Sequence, residues 1–164
     1  MPAENQPRHQ IWNWKLIKRV LRANRTGKMA EVKLAFHISL RTGMRLSEVL
    51  AAPAGFDPKR RVVVLDSSKT TGRVEIPIGR IAAKLIQGAK FTLNAHDAGV
   101  LFGKLCKELL IEDLTFHDAR ATALTHLSRK VDVMVLAKIS RHKDLRILQQ
   151  VYYRATPEQI ARMI

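Results

Sequence analysis

The sequence predicts a mainly helical α+β domain that carries one small antiparallel β-hairpin or sheet. Three observations support this fold class. Apolar residues recur at helical spacing through most of the 164 residues. Strand-like runs of β-branched residues occur only where RRVVVLD and RVEIPIG flank the polar turn SSKTTG. Apolar residues make up 46% of the chain and aromatic residues only 5%, so we expect a folded core that is aliphatic.

The helices follow from apolar periodicity and from breaks between the periodic segments. The first is predicted by Ile11, Trp14, Ile17 and Val20, and the second is rich in Leu, Ala and Ile and should be buried. Glycine at position 43 is typical of the residue after a helix. The predicted helices cover residues 11–23, 29–41, 46–52, 81–87, 99–110, 115–130, 133–139 and 145–153.

Two boundaries rest on particular residues. Pro53 and Gly55 should end the third helix, before the first strand. After the eighth helix, the segment PEQIARMI reads as a short amphipathic tail with Ile160, Met163 and Ile164 on one face. The chain is the size of one domain, either complete or cut from a longer protein.

The charge of the chain indicates a polyanionic partner. There are 29 Lys and Arg against 14 Asp and Glu, which gives a formal net charge of +15 and a pI near 10.7. Nucleic acid is the partner that such an excess favours. An anionic membrane surface would also attract it, but we find no compact polybasic helix with an aromatic apolar face.

Cysteine usage and the N-terminus point to a cytoplasmic location. Cys106 is the only cysteine and lies in the apolar string LFGKLCKELL, which predicts a reduced and buried thiol. The first ten residues contain no apolar segment of the kind found in signal peptides. We therefore expect a protein of the reducing cytoplasm that does not enter a membrane.

An ordered set of phosphate-binding and proton-transfer residues carries the functional argument. It comprises Arg45 in RTGMRLSE, Lys69 in SSKTTG, His117 and Arg120 in TFHDARATAL, His142 in SRHKDL, and the pair Tyr152–Tyr153. Arginine presents a planar fork of donors that matches phosphate oxygens, and histidine exchanges protons near neutral pH. Each of these residues alone would be read as an ordinary surface side chain.

In this order, these strings resemble the catalytic domain of the tyrosine recombinases, the phage integrase family, over about residues 30–164. The resemblance implies that family's catalytic-domain fold. It also implies that Arg45 and Arg120 clamp the scissile phosphate while His117 accepts the proton of the attacking tyrosine. Lys69 would protonate the departing 5′ oxygen, and His142 would hydrogen-bond the phosphate. Glu48 either orients Arg45 or acts as a first-turn acid.

Two departures from the family pattern affect the last motifs. The family usually has glycine before the histidine at position 142, where this chain has Arg141. Its tyrosine commonly falls nine residues after that histidine, a position occupied here by Val151. Tyr152 is ten residues away, and we take it as the nucleophile, with Tyr153 as the alternative.

The resemblance implies site-specific recombination, such as integration or excision of a phage or mobile element, through a 3′-phosphotyrosyl intermediate. The partner would be double-stranded DNA, bound by a homotetramer, although the isolated chain could be a monomer. No cofactor is expected: the reaction needs neither metal nor ATP, and the sequence has no phosphate-binding glycine loop or metal-ligand spacing.

Residues 1–28 would form a lead-in and first helix on the linker side of a missing core-binding domain, and residues 29–164 the catalytic domain. Two alternatives share the fold. A type IB topoisomerase would relax supercoils without exchanging partners, and a non-catalytic DNA-binding module would have lost the reaction. A generic basic nucleic-acid binder would explain the charge but not the ordered residues.

Overall fold

A computed structural model describes residues 10–67, 72–153 and 156–164. The chain divides into two compact units, Met1–Ala123 and Leu124–Ile164, and the division falls inside one helix.

Within residues 10–67 and 72–123, the first unit contains five complete helices and most of a sixth. They are α1 (Trp14–Arg22), α2 (Gly27–Thr42), α3 (Leu46–Gly55), α4 (Arg80–Gln87), α5 (Ala95–Glu108) and α6 (His117–Ser128). Asparagine side chains cap two of them, since Asn13 accepts from the Leu16 amide and Asn94 from the Asp97 amide. Gly43 ends α2 in the left-handed conformation, with φ 72°.

A three-stranded antiparallel sheet of order β1–β2–β3 follows α3. Its strands are β1 (Phe56–Asp57), β2 (Val62–Ser67) and β3 (Gly72–Pro77). Val63 pairs with Ile76, and both are buried, so one face of the sheet joins the core. Lys69 follows β2 in the sequence and lies outside the described residues.

Four aromatic rings pack together within the core of the first unit, which is otherwise largely aliphatic, as expected. Trp12 packs edge-on against Phe36 at 4.7 Å between ring centroids, and Phe102 and Phe116 complete the cluster. Composition predicted the aliphatic character of the core but could not show that the few aromatic residues converge within it. Aliphatic residues from α1 to α6 and the sheet surround the rings.

The second unit is a small helical unit with its own apolar core. Besides the end of α6, it contains α7 (Val133–Ser140), α8 (Leu145–Tyr152) and α9 (Pro157–Ala161). Leu124, Leu136 and Leu148 are fully or almost fully buried at its centre. Asp132 and Asp144 cap α7 and α8 by accepting hydrogen bonds from first-turn amides.

The predicted fold class is confirmed, with local corrections. All the predicted helices and both strands are present, and part of the amphipathic tail forms α9. Pro53 does not end α3, which continues to Gly55. A proline close to a helix C-terminus removes only one late hydrogen bond. The fifth helix begins at Ala95, four residues before the predicted start at 99, because Asn94 caps it.

Strand β1 was not predicted, since two residues are too short to show a period. Over the described ranges, no helix has both the length and the hydropathy required to span a membrane. The predicted boundary at residue 28 stays a prediction.

Candidate active site

Arg45 is presented by a tightly fixed turn between α2 and α3. It is the last extended residue before α3, with φ −68° and ψ 156°. Two buried hydroxyls hold the preceding residue: the Ser39 hydroxyl donates to the Met44 carbonyl at 2.9 Å, and the Met44 amide donates to Thr42 Oγ1 at 3.2 Å. Because the backbone is held on both sides of Met44, Arg45 leaves the turn in one direction.

Glu48 orients the Arg45 side chain, as one of the two sequence-based interpretations proposed. Its carboxylate accepts from the Arg45 amide at 2.8 Å and from the Arg45 guanidinium at 3.2 Å. The Arg45 side chain is still 49% exposed, so this ion pair adds little stability. Its effect is to align the guanidinium while leaving it accessible.

Arg120 is buried and bonded to the same turn. Arg120 is only 4% exposed, and one of its guanidinium nitrogens donates to the Gly43 carbonyl at 2.7 Å. This charge-assisted hydrogen bond joins α6 to the end of α2 across 77 positions of sequence. The two arginines are therefore brought to one place by a contact that also fixes the Gly43 turn.

His117 is the first residue of α6, and the entry into that helix is rigidly held. Asp118 accepts from both the amide and the hydroxyl of Thr115, at 2.7 and 2.9 Å. The Thr122 hydroxyl donates to the Asp118 carbonyl and accepts from the Trp12 amide. Asp118 thus ties the residues before α6 to its first turn, and the His117 side chain is exposed at the helix start.

These three sequence-predicted residues line one pocket within the first unit. The pocket has a volume of about 140 Å³, and its lining residues are Ser39, Met44, Arg45, Leu46, Phe116, His117 and Arg120. Two guanidinium groups and an imidazole supply its polar side, and no carboxylate lines it. Such a pocket is suited to bind an anion the size of a phosphate.

His142 lies in the second unit, after the left-handed end of α7. Its Nδ1 is 2.8 Å from the hydroxyl of buried Ser140, which fixes the imidazole ring. Arg141 is the residue in the left-handed conformation, with φ 59°. This is a backbone geometry that glycine adopts more easily than arginine.

The two tyrosines have different environments. Tyr152 is the last residue of α8 and is half-buried against the core of the second unit. Tyr153 follows the helix, and its hydroxyl donates to the Val131 carbonyl at 2.6 Å. Burial, with a smaller contribution from the Asp132 carboxylate, raises the pKa of Tyr153 above its usual value. Tyr153 is thus engaged as a structural hydrogen-bond donor.

The remaining predicted residue, Lys69, lies outside the described residues. Sequence analysis missed Ser39, Thr42 and Ser140, which hold the turn before Arg45 and the ring of His142. Polar residues within apolar helical strings were the available signal for them. In the described part of the chain, no three His, Cys, Asp or Glu residues converge as metal ligands.

Comparison with known proteins identifies relatives over the whole chain. The model of the phage integrase family matches residues 89–159. A putative integrase/recombinase of Haemophilus influenzae is 32% identical, in an alignment covering 100% of this chain and 59% of that protein. A shufflon-specific DNA recombinase of Escherichia coli is 30% identical over 70% of this chain and 33% of its own length. The chain thus spans less than two thirds of the length of these relatives.

Solved structures share the fold at low sequence identity. The Tn1549 transposon integrase in complex with a circular intermediate DNA gives a TM-score of 0.78 at 20% identity, covering 98% of this chain and 67% of that one. The catalytic domain of bacteriophage HP1 integrase gives 0.67 at 19% identity, covering 92% and 90%. The predicted catalytic-domain fold is therefore confirmed.

Proposed function

Because the chain belongs to the phage integrase family, the tyrosine recombinases, we propose that it cuts and rejoins DNA strands at specific sites through a covalent 3′-phosphotyrosyl intermediate. The observation that carries the proposal is the convergence of Arg45, His117 and Arg120 on one pocket, with Arg120 bonded to the turn that presents Arg45.

The pocket would hold the scissile phosphate. Arg45 contributes an exposed guanidinium aligned by Glu48, and Arg120 contributes a buried one. Nucleophilic attack on phosphorus adds negative charge to the phosphate oxygens in the transition state. Preorganised cations stabilise that charge without reorganising during the reaction. The hydrogen bonds of Ser39, Thr42 and Arg120 to the turn support this preorganisation.

Proton transfer would accompany each bond change. Attack by Tyr152 Oη forms the bond to phosphorus, and the phenolic proton passes to His117. The bond from phosphorus to the 5′ oxygen breaks, and Lys69 supplies the proton that makes this oxygen a good leaving group. His142 would donate a hydrogen bond to the phosphate, with its ring held by Ser140. Rejoining is the reverse sequence, so the phosphodiester bond energy is conserved.

Tyr152 is a better nucleophile candidate than Tyr153. The Tyr153 hydroxyl would have to leave the Val131 carbonyl before attacking, and its raised pKa makes the phenolate harder to form. The spacing from His142 fits neither tyrosine fully, but Tyr152, ten residues on, is nearer than Tyr153 to the nine residues common in the family.

The partner would be double-stranded DNA, on which four copies assemble into a homotetramer, while the isolated chain could be a monomer. Work on DNA of a phage or mobile element would place the protein in the bacterial cytoplasm. The Tn1549 integrase relative has been solved with DNA, which supports the same partner here.

Covalent trapping on a nicked duplex that carries the element's attachment site tests the proposal. In EDTA, the wild type should form an adduct that resists denaturation, and Tyr153→Phe should retain it. Tyr152→Phe and Arg120→Lys should abolish it, the latter because an ammonium lacks the planar fork. DNA binding without any adduct, or relaxation of plasmids lacking the site, would favour the DNA-binding module or the topoisomerase instead.

A further inference from the structure

We propose that the basic face of α1, formed by Lys15, Lys18, Arg19 and Arg22, binds the phosphate backbone of duplex DNA away from the catalytic pocket. This rests on the proposed action on DNA and adds a second contact surface to it. The four residues line a shallow surface groove together with Ala23.

The spacing places all four cations on one side of the helix. Relative to Lys15 they occupy positions i, i+3, i+4 and i+7, which fall on one stripe of an α-helix. Ile17 and Val20 on the opposite side are buried in the core of the first unit, which fixes the direction of the basic face. Lys15, Arg19 and Arg22 are exposed to solvent.

The charges on this face are largely uncompensated. No acid occurs between residues 10 and 30, and in the described part of the chain neither Lys15 nor Arg22 has an ion-pair partner. Lys18 lies over the exposed Trp14 ring, 5.1 Å from its centroid. Arg25, by contrast, pairs with Glu108 at 3.1 Å and is left out of the proposed surface.

The stability of α1 accounts for only part of the basic face, because Arg19 and Arg22 lie in the last turn, where cations interact favourably with the helix dipole. Like charges three and four residues apart repel one another, and Lys15 stands at the positive end of the helix dipole. A sequence selected only for a stable α1 would place acids among these positions. Local electrostatic conflicts of this kind are expected at functional sites, and phosphates bound to the basic face would relieve the repulsion between its charges.

The length of the basic face matches a short stretch of DNA backbone. Seven residues of α-helix rise about 10 Å, which equals about three nucleotides of one strand at ~3.4 Å each. Four cations thus face a comparable number of phosphates. An anionic membrane is less suitable, since an interfacial helix inserts its apolar face and that of α1 is already buried.

Salt-dependent binding of the 164-residue protein to a 40-base-pair duplex of arbitrary sequence tests the surface. The test variant combines Lys15→Gln, Lys18→Gln and Arg22→Gln, and keeps Arg19 because it donates to the Leu109 carbonyl. The matched control removes the same charge from α4, α5 and the segment between them through Lys84→Gln, Lys90→Gln and Lys104→Gln.

The test variant should bind more than about tenfold more weakly at low salt, with a slope of log K against log salt less steep by about 2 to 3. Its melting temperature should be unchanged or higher, because repulsion within α1 is relieved. Equal loss in the control, or loss of stability with the loss of binding, would overturn the proposal. So would wild-type binding to phosphatidylserine vesicles that the test variant loses while it still binds DNA normally. Because strand cleavage is not measured, failure here is distinct from absence of the covalent adduct.

Discussion

At the scale of single residues, neighbouring side chains of the same type are distinguished by their surroundings. Tyr152 and Tyr153 cannot be separated by composition, and their spacing from His142 fits the family pattern imperfectly. The hydrogen bond from Tyr153 to the Val131 carbonyl separates them. Sequence could not predict it because the acceptor is a main-chain atom 22 positions away. Arg120 and Gly43, 77 positions apart, are a second such case.

The raised pKa of Tyr153 predicts a pH dependence of stability. The folded state holds the phenolic proton more tightly than the unfolded chain, whose tyrosine titrates near pH 10. The stabilisation is therefore complete below about pH 10 and is lost as the pH rises through the folded pKa. Urea unfolding at pH 8 to 11 should show a steeper alkaline loss for the wild type than for Tyr153→Phe. If the free energy of unfolding fell equally with pH in the two proteins, the stabilising role of the Tyr153 hydroxyl would be contradicted.

Replacing Arg141 with glycine should make the protein more stable. Its left-handed backbone costs a non-glycine residue about 1–2 kcal/mol. Arg141→Gly should raise the free energy of unfolding by about 1 kcal/mol, after allowing for the greater freedom of glycine in the unfolded chain. Lys143→Gly, two residues later, is the control and should lower it by about 0.5 kcal/mol. If both variants lose stability equally, the Arg141 side chain contributes more than its backbone costs.

At the scale of elements, helices were predicted well because their apolar periods are long. The boundaries depended on individual caps: Gly43 was recognised, whereas Asn94 was not. The close approach of α3 to the sheet was harder to predict from the sequence than the helix boundaries. Gly55 was read as a helix stop, but it also lies directly against the Val64 carbonyl of β2.

Because Gly55 lies against the Val64 carbonyl, alanine substitutions at Gly55 and at Gly103 should have opposite effects on stability. Gly55→Ala would place a methyl group against the Val64 carbonyl and should lower the free energy of unfolding by about 1–3 kcal/mol. Gly103→Ala in α5 meets no atom and should raise it by about 0.5–1 kcal/mol through helix propensity. Chemical denaturation of both variants checks the pair, and a neutral Gly55→Ala would mean that α3 can move away from β2.

For the whole molecule, the net charge of +15 and the ordered motif residues both support the proposed function. The first unit holds two arginines and a histidine around one pocket, and the second holds His142 and the tyrosine pair. These residues could be predicted from the sequence because each lies in a short motif that resembles one of the family's. The hydroxyls that position them were not predicted, since serine and threonine in helices are usually unremarkable.

Mapping the covalent adduct would determine whether Tyr152 is the residue that carries the DNA. The wild-type adduct would be digested with nuclease and trypsin, and the peptide covering residues 147–154 fragmented by mass spectrometry. The proposal predicts a nucleotide attached through phosphate to Tyr152, with Tyr153 unmodified. A nucleotide on Tyr153 would contradict the assignment of the nucleophile, and an unmodified peptide from an authentic adduct would contradict the tyrosine mechanism itself.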